Sequence, residues 1–259
     1  MTSADTPWLF DLGNSRLKGA WLRADELAQP FALAWDAPDF DAVLQVQLAR
    51  WPAPTHVLIA SVVSAARADR LRTALQASPQ AAVLWLRSPR QGCGIINSYR
   101  EPERLGIDRF LAMAAARAAA DNAGVIVVGC GTALTLDLVD PAGSQREGLI
   151  APSPDLMMSA LRGATAIVEE NRDAFENTQG GDDTARALRE GCTRAAAALV
   201  GWYHARHCDE LGDPRLWLHG GWAESLRALL EEEGHTRVRV LDNAVLRGLV
   251  LWATARNSV

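Results

Sequence analysis

The chain has 259 residues, of which 49% are hydrophobic, 22% charged and 6% aromatic, a balance that excludes collagenous, disordered and membrane-spanning classes. A formal net charge of −5 and a pI near 5.6 argue against a broad nucleic-acid or anionic-membrane surface, which needs concentrated positive charge. All but one of the 26 basic residues are arginine, so any step that needs a flexible ammonium rests on Lys18.

In chain order, the opening MTSADTPWLF carries no basic segment ahead of a long apolar run, and no later stretch reaches the length of a membrane span, so a cytoplasmic protein is expected. Trp8-Leu9-Phe10 predicts a strand, Asp11-Leu12-Gly13-Asn14-Ser15 a tight loop, and Leu17, Ala20, Trp21 and Leu22 a returning strand. Residues 57–59 read as a strand, 65–76 as a helix and 82–86 as a strand, the alternation of an α/β domain. The Ala-rich stretch 110–121 predicts a helix whose small side chains let another helix approach closely.

Residues 125–128 then form an apolar run, Gly129-Cys130-Gly131-Thr132 a small-residue loop, and 133–139 a strand that alternates with period two. Strand, loop and strand thus recur about half a chain after the first set. The recurrence predicts two similar halves, 1–120 and 121–259, whose loops could face each other across a cleft. Helices are expected over 157–168, 184–207, 223–233 and 244–256, with a short strand at 216–218 before the break at His219-Gly220-Gly221. Cys93, Cys130, Cys192 and Cys208 have neither C-x-x-C pairing nor metal-ligand spacing with the five histidines, so reduced thiols are expected, without disulfide or zinc.

Loops rich in Gly, Asn and Ser can turn several backbone N–H groups toward one anion, and a nearby carboxylate can hold hydrated magnesium against phosphates. Asp11, Gly13, Asn14 and Ser15 offer those parts, and Gly129, Gly131 and Thr132 offer a second set. Each loop alone is more often a plain turn; their repetition raises the phosphate reading. There is no G-x-x-x-x-G-K-[ST], no G-x-G-x-x-G opening a helix and no G-x-S-x-G. Ahead of the Ala-rich helix, Asp108 and Arg109 place a carboxylate beside a guanidinium. The bland reading is an N-cap with a solvated arginine; the functional one is a proton acceptor beside a group that binds substrate or phosphoryl charge.

The ordered motifs D-L-G-N-S-R-L-K at 11–18, Tyr99, L-G-I-D-R at 105–109, G-T-A-L-T-L-D at 131–137, G-L-I-A-P-S-P at 148–154, A-L-R-G-A-T-A at 160–166, T-A-R-A-L-R-E-G at 184–191 and the glycine pair near Gly220 make the chain resemble the type III pantothenate kinases. These belong to the superfamily of sugar kinases, heat-shock ATPases and actin. The resemblance implies an α/β fold of two ribonuclease-H-like (actin-like ATPase) domains with a cleft between them. It also implies ATP-dependent phosphorylation of pantothenate to 4′-phosphopantothenate, the first step of coenzyme A biosynthesis, in a homodimer.

By position, Asp11, Leu12, Gly13, Asn14, Ser15, Arg16, Leu17 and Lys18 would line the ATP phosphates with Thr132, and Asp11 would help hold magnesium through the phosphates. Tyr99, Gly106, Ile107, Asp108, Arg109 and Thr184 would hold pantothenate, and Asp108 would be the general base. Gly129 stands where family members commonly carry an aspartate associated with bound potassium or ammonium, so the resemblance implies that a monovalent-cation site is absent here or is completed by other oxygens; Ser15 replaces the more usual threonine. A non-catalytic regulatory accessory protein of the same fold, or a kinase for another small hydroxylated substrate, is the alternative reading.

Overall fold

The computed structural model of the chain describes residues 6–76, 81–164, 184–211 and 214–256. Trp8–Leu12 (β1) is apolar except at Asp11 and buried throughout, and it pairs antiparallel with Arg16–Arg23 (β2) across the four-residue step from Gly13 to Arg16. Glu26–Ala34 (β3) continues this meander on one side, while His56–Ser61 (β4) and Ala82–Trp85 (β5) add parallel strands on the other. The resulting order is β3-β2-β1-β4-β5. Parallel neighbours need crossover helices, and Phe40–Ala49 (α1) and Ala65–Leu75 (α2) supply them.

The second sheet repeats the plan. Val125–Cys130 (β8) pairs antiparallel with Ala133–Val139 (β9) and parallel with Arg215–His219 (β11), which pairs parallel with Val238–Val240 (β12). With Gln145–Pro152 (β10) the order is β10-β9-β8-β11-β12, and the matched mixed topology identifies two ribonuclease-H-like units. A two-stranded hairpin, Gln91–Gly92 (β6) with Ile95–Ile96 (β7), lies between β5 and Ile107–Ala119 (α3).

The first unit comprises β1–β7, α1–α3, the turn at 143–145 and Ala244–Arg256 (α7). The second holds β8–β12 with Pro154–Ala164 (α4), Thr184–Leu211 (α5) and Ala223–Glu232 (α6). A linear division at 120/121 leaves α7 with the second half, yet α7 packs on α3, with Phe110 meeting Trp252 edge to face at 6.3 Å. Ala112, Ala114, Ala115 and Ala116 of α3 are all buried.

Each unit has its own core. In the first, Trp8, Phe10 and Trp51 gather with ring centroids 5.3 to 6.4 Å apart, offset or edge to face, contacts worth about 0.5–1.5 kcal/mol each beyond area burial. In the second, Leu134, Leu136 and Leu138 of β9 meet Val200 and Tyr203 of α5 and Leu226 and Leu230 of α6. Among the described residues no helix is long and apolar enough to cross a membrane, and none of the four cysteines is in a disulfide. Of the helix expected at 157–168, the part 165–168 lies outside the described residues, as do Thr165 and Ala166 of the A-L-R-G-A-T-A motif.

Candidate active site

β1 is the central strand of its sheet, so a polar side chain on it can be screened from water on both sides. Asp11 is that side chain: it is 6% exposed, with Lys18 directly across on β2 and Ala60 across on β4. Burial pushes its carboxyl up to about 7; Lys18 pulls it down and the negative charge of Asp108 pushes it up. The single lysine thus belongs to the Asp11 pair, on the strand face opposite Phe10, Leu12 and Leu17. Leu12 and Leu17 are fully buried in the apolar cluster, so toward a ligand they have only backbone to offer.

Gly13 is half-buried and Asn14, Ser15 and Arg16 are exposed at the hairpin tip, where the Gly13 N–H donates to the Arg16 carbonyl at 3.1 Å. Three donors from outside the hairpin hold its carbonyls. The Trp35 indole N–H reaches Gly13 O at 2.7 Å, the Arg67 guanidinium reaches Asn14 O at 2.5 Å, and the Trp35 backbone N–H reaches Ser15 O at 3.3 Å. The sequence reading did not find Trp35 or Arg67, since neither is near the loop in the chain.

Helix α3 begins at Ile107 with Gly106 at its N-cap, three residues earlier than the apolar run suggests. Asp108 is therefore not a cap but a first-turn residue, where the helix dipole favours negative charge. Its Oδ1 accepts the N–H of Arg109 at 2.8 Å. A Cβ on Gly106 would lie 2.5 Å from that oxygen, so only glycine leaves the carboxylate its place. Ile107 is buried, and the Arg109 guanidinium, 9% exposed as a residue, donates to the Tyr99 hydroxyl at 3.1 Å.

The segment that carries Tyr99 is built by two side chains. Buried Asn97 donates to the carbonyls of Pro89 and Pro102 and accepts the Tyr99 N–H, while Arg90 binds the carbonyls of Asn97, Tyr99 and Arg100. Asp11, Lys18, Tyr99, Gly106, Asp108 and Arg109 all belong to the first unit, with Asp108 near enough to Asp11 to act on its charge.

In the second unit, Thr132 is exposed at the turn between β8 and β9, and Thr184 is exposed at the first residue of α5. Gly129 pairs with Thr135 on one side and His219 on the other. A Cβ at 129 would lie 2.5 Å from Thr135 Oγ1 and 3.2 Å from His219 Nε2, so these two side chains fill the place of a side chain at that position. Among the described residues, no group of three or more His, Cys, Asp and Glu is arranged to hold a metal ion.

A family model described as type III pantothenate kinase matches residues 8–206. A type III pantothenate kinase of Xanthomonas axonopodis pv. citri (strain 306) is 39% identical over 255 residues, covering 97% of this chain and 98% of the relative. One of Stenotrophomonas maltophilia (strain K279a) is 36% identical over 247 residues, covering 95% and 96%. Among solved structures, a Baf family protein from Campylobacter jejuni aligns with TM-score 0.60 at 18% identity, covering 97% of this chain and all of the other. Component A of (R)-2-hydroxyglutaryl-CoA dehydratase from Acidaminococcus fermentans aligns with TM-score 0.56 at 15% identity, covering 99% and 100%. These likenesses bear on the fold alone.

Proposed function

The chain belongs to the type III pantothenate kinase family and is an ATP-dependent pantothenate kinase of coenzyme A biosynthesis, and from that premise we propose how its residues divide the reaction. The observation that carries the reading is the gathering of two carboxylates, Asp11 and Asp108, with the Arg109–Tyr99 pair in one unit. Asp108 accepts the proton of the pantothenate primary hydroxyl as its oxygen attacks the γ-phosphate. Arg109 and Tyr99 hold the acceptor, whose carboxylate suits a guanidinium, beside Gly106 and Ile107. Residues 11–18 hold ATP through loop N–H groups, Lys18 and Asp11.

Asp11 suits magnesium. It is a buried hard oxygen donor whose carboxyl is pushed up to about 7, and a nearby cation would relieve that cost. Bound with ATP, magnesium would neutralise charge on the β- and γ-phosphates. At Gly129, where the family commonly has its potassium- or ammonium-associated aspartate, a carboxylate would have to displace the side chains of Thr135 and His219, which supports a reaction independent of those ions. The protein acts in the cytoplasm as a homodimer.

Purified protein supplied with ATP, magnesium and pantothenate is expected to form phosphopantothenate at similar rates in sodium, potassium and ammonium salts. Absence of product in all three would favour the accessory-protein reading, and strong stimulation by potassium or ammonium would overturn the reading of Gly129. A preference for another hydroxyl acceptor in competition would favour the other-substrate kinase.

Gly106→Ala tests the placement of the base. The new methyl must displace Oδ1 of Asp108, and a misplacement of about 1 Å can cost two orders of magnitude in rate. The variant is expected to lose ~10- to 100-fold in kcat while its KM for ATP stays near that of the parent, a split read by steady-state kinetics.

A further inference from the structure

We propose that Trp35 and Arg67 are positioning residues that aim the backbone N–H groups of the 13–16 loop at the nucleotide phosphates. The inference rests on the reading of residues 11–18 as the ATP phosphate loop and names what holds that loop in its binding shape.

Three successive loop carbonyls, those of Gly13, Asn14 and Ser15, each accept a hydrogen bond from outside the hairpin. Within one trans peptide the C=O and the following N–H point in opposite directions. Holding those three carbonyls therefore fixes where the N–H groups of Asn14, Ser15 and Arg16 point, and fixed, outward-facing N–H groups are what an anion nest needs. A hairpin tip whose residues are exposed, as Asn14, Ser15 and Arg16 are, does not fix these peptide planes by packing.

The braces are themselves held. Trp35 is 5% exposed and its ring stacks on Phe40 at 5.0 Å and 27°. The Arg67 guanidinium, from the first turn of α2, sits 5.8 Å from the centroid of the Trp35 ring while it reaches the Asn14 carbonyl. One turn further along α2, Arg70 donates to the Trp35 carbonyl at 2.8 Å, lies 4.0 Å from the Phe40 ring centroid and pairs with Asp41 at 3.0 Å. The Trp35 segment is thus clamped between α1 and α2, and the loop inherits that rigidity through two side chains and one backbone N–H.

The test compares ligands with and without phosphates. Trp35→Phe keeps an aromatic ring for the Phe40 stack and removes the indole donor with part of the ring; Arg67→Met removes the guanidinium and keeps a long stem, and Arg67→Lys restores a cationic donor. MgATP and adenosine are titrated by calorimetry into each intact protein, alongside steady-state kinetics. Trp35→Phe and Arg67→Met are each expected to weaken MgATP binding by ~10-fold or more, as loss of a hydrogen bond to a loop that must stay aligned would do. Adenosine affinity and the KM for pantothenate are expected to stay within about twofold, with Arg67→Lys recovering most of the MgATP loss.

MgATP affinity unchanged in both Trp35→Phe and Arg67→Met, with the parent binding MgATP, would overturn the inference and leave the nucleotide reading standing. An equal loss toward adenosine and MgATP would also overturn it, because the residues would then merely hold the fold. A parent protein that binds no MgATP would overturn the nucleotide reading and the inference with it.

Discussion

Asp108→Asn is expected to fold as the parent does and to lose ~10²–10⁴-fold in kcat, the range a positioned general base supplies. Asparagine keeps the carbonyl oxygen that accepts the Arg109 N–H at 2.8 Å, and it has the size for which Gly106 leaves space. What it lacks is the ability to take a proton from the attacking hydroxyl. The KM values for ATP and pantothenate should change little, because the substrate contacts assigned to Arg109, Tyr99 and the first loop survive. Steady-state kinetics beside circular dichroism reads both halves of the expectation, and a kcat within about threefold of the parent would remove Asp108 from the base role. The same substitution takes away the negative charge that adds to the effect of burial on the Asp11 carboxyl, so Asp11 should titrate lower in this variant.

The strands and loops that carry Asp11 and Thr132 were legible because their signals are local. Apolar runs end in Asp-Leu-Gly-Asn-Ser and Gly-Cys-Gly-Thr, and the structure has hairpins at both places. The repetition of that signal announced two like sheets, each with the order that the pairing then gives. β3 was missed because it has no buried face to impose alternation: its residues are only partly buried or exposed, and Pro30 interrupts the run. The start of α3 was misjudged because Gly-Ile-Asp-Arg reads as polar, although Gly106 caps the helix and Ile107 is already buried in its first turn. Placement of α7 on α3, and the reach of Trp35 and Arg67 to the first loop, are decided by packing between residues far apart in the chain. No window of sequence holds that information. The role of Lys18 sharpened in the same way, since only the strand register sets it across from Asp11.

Asp11→Asn is expected to raise the stability of the ligand-free protein at pH 8 while abolishing most kinase activity. A free aspartate titrates near pH ~3.9, whereas burial raises Asp11 to about 7 in the folded chain despite the pull of Lys18, with Asp108 adding to the rise. Between those values the unfolded chain has released the proton and the folded chain still holds it. Stability therefore falls as pH rises from about 4 to about 7 and is level above that. At ~1.4 kcal/mol per pH unit the loss reaches about 4 kcal/mol, an upper figure for a side chain only 6% exposed. Asparagine does not ionise and escapes the loss. The variant and parent should melt together near pH 4 and separate by ~5–10 °C at pH 8, the parent being the less stable. Adding MgATP at pH 8 should raise the melting temperature of the parent and leave the variant almost unmoved, because the carboxylate that destabilises the empty site is the one a bound cation would favour. Thermal melts across pH, with and without MgATP, separate these effects. Equal melting temperatures at pH 8 without ligand would mean that the buried carboxylate carries no such cost, and with it would go the reason for assigning magnesium to Asp11.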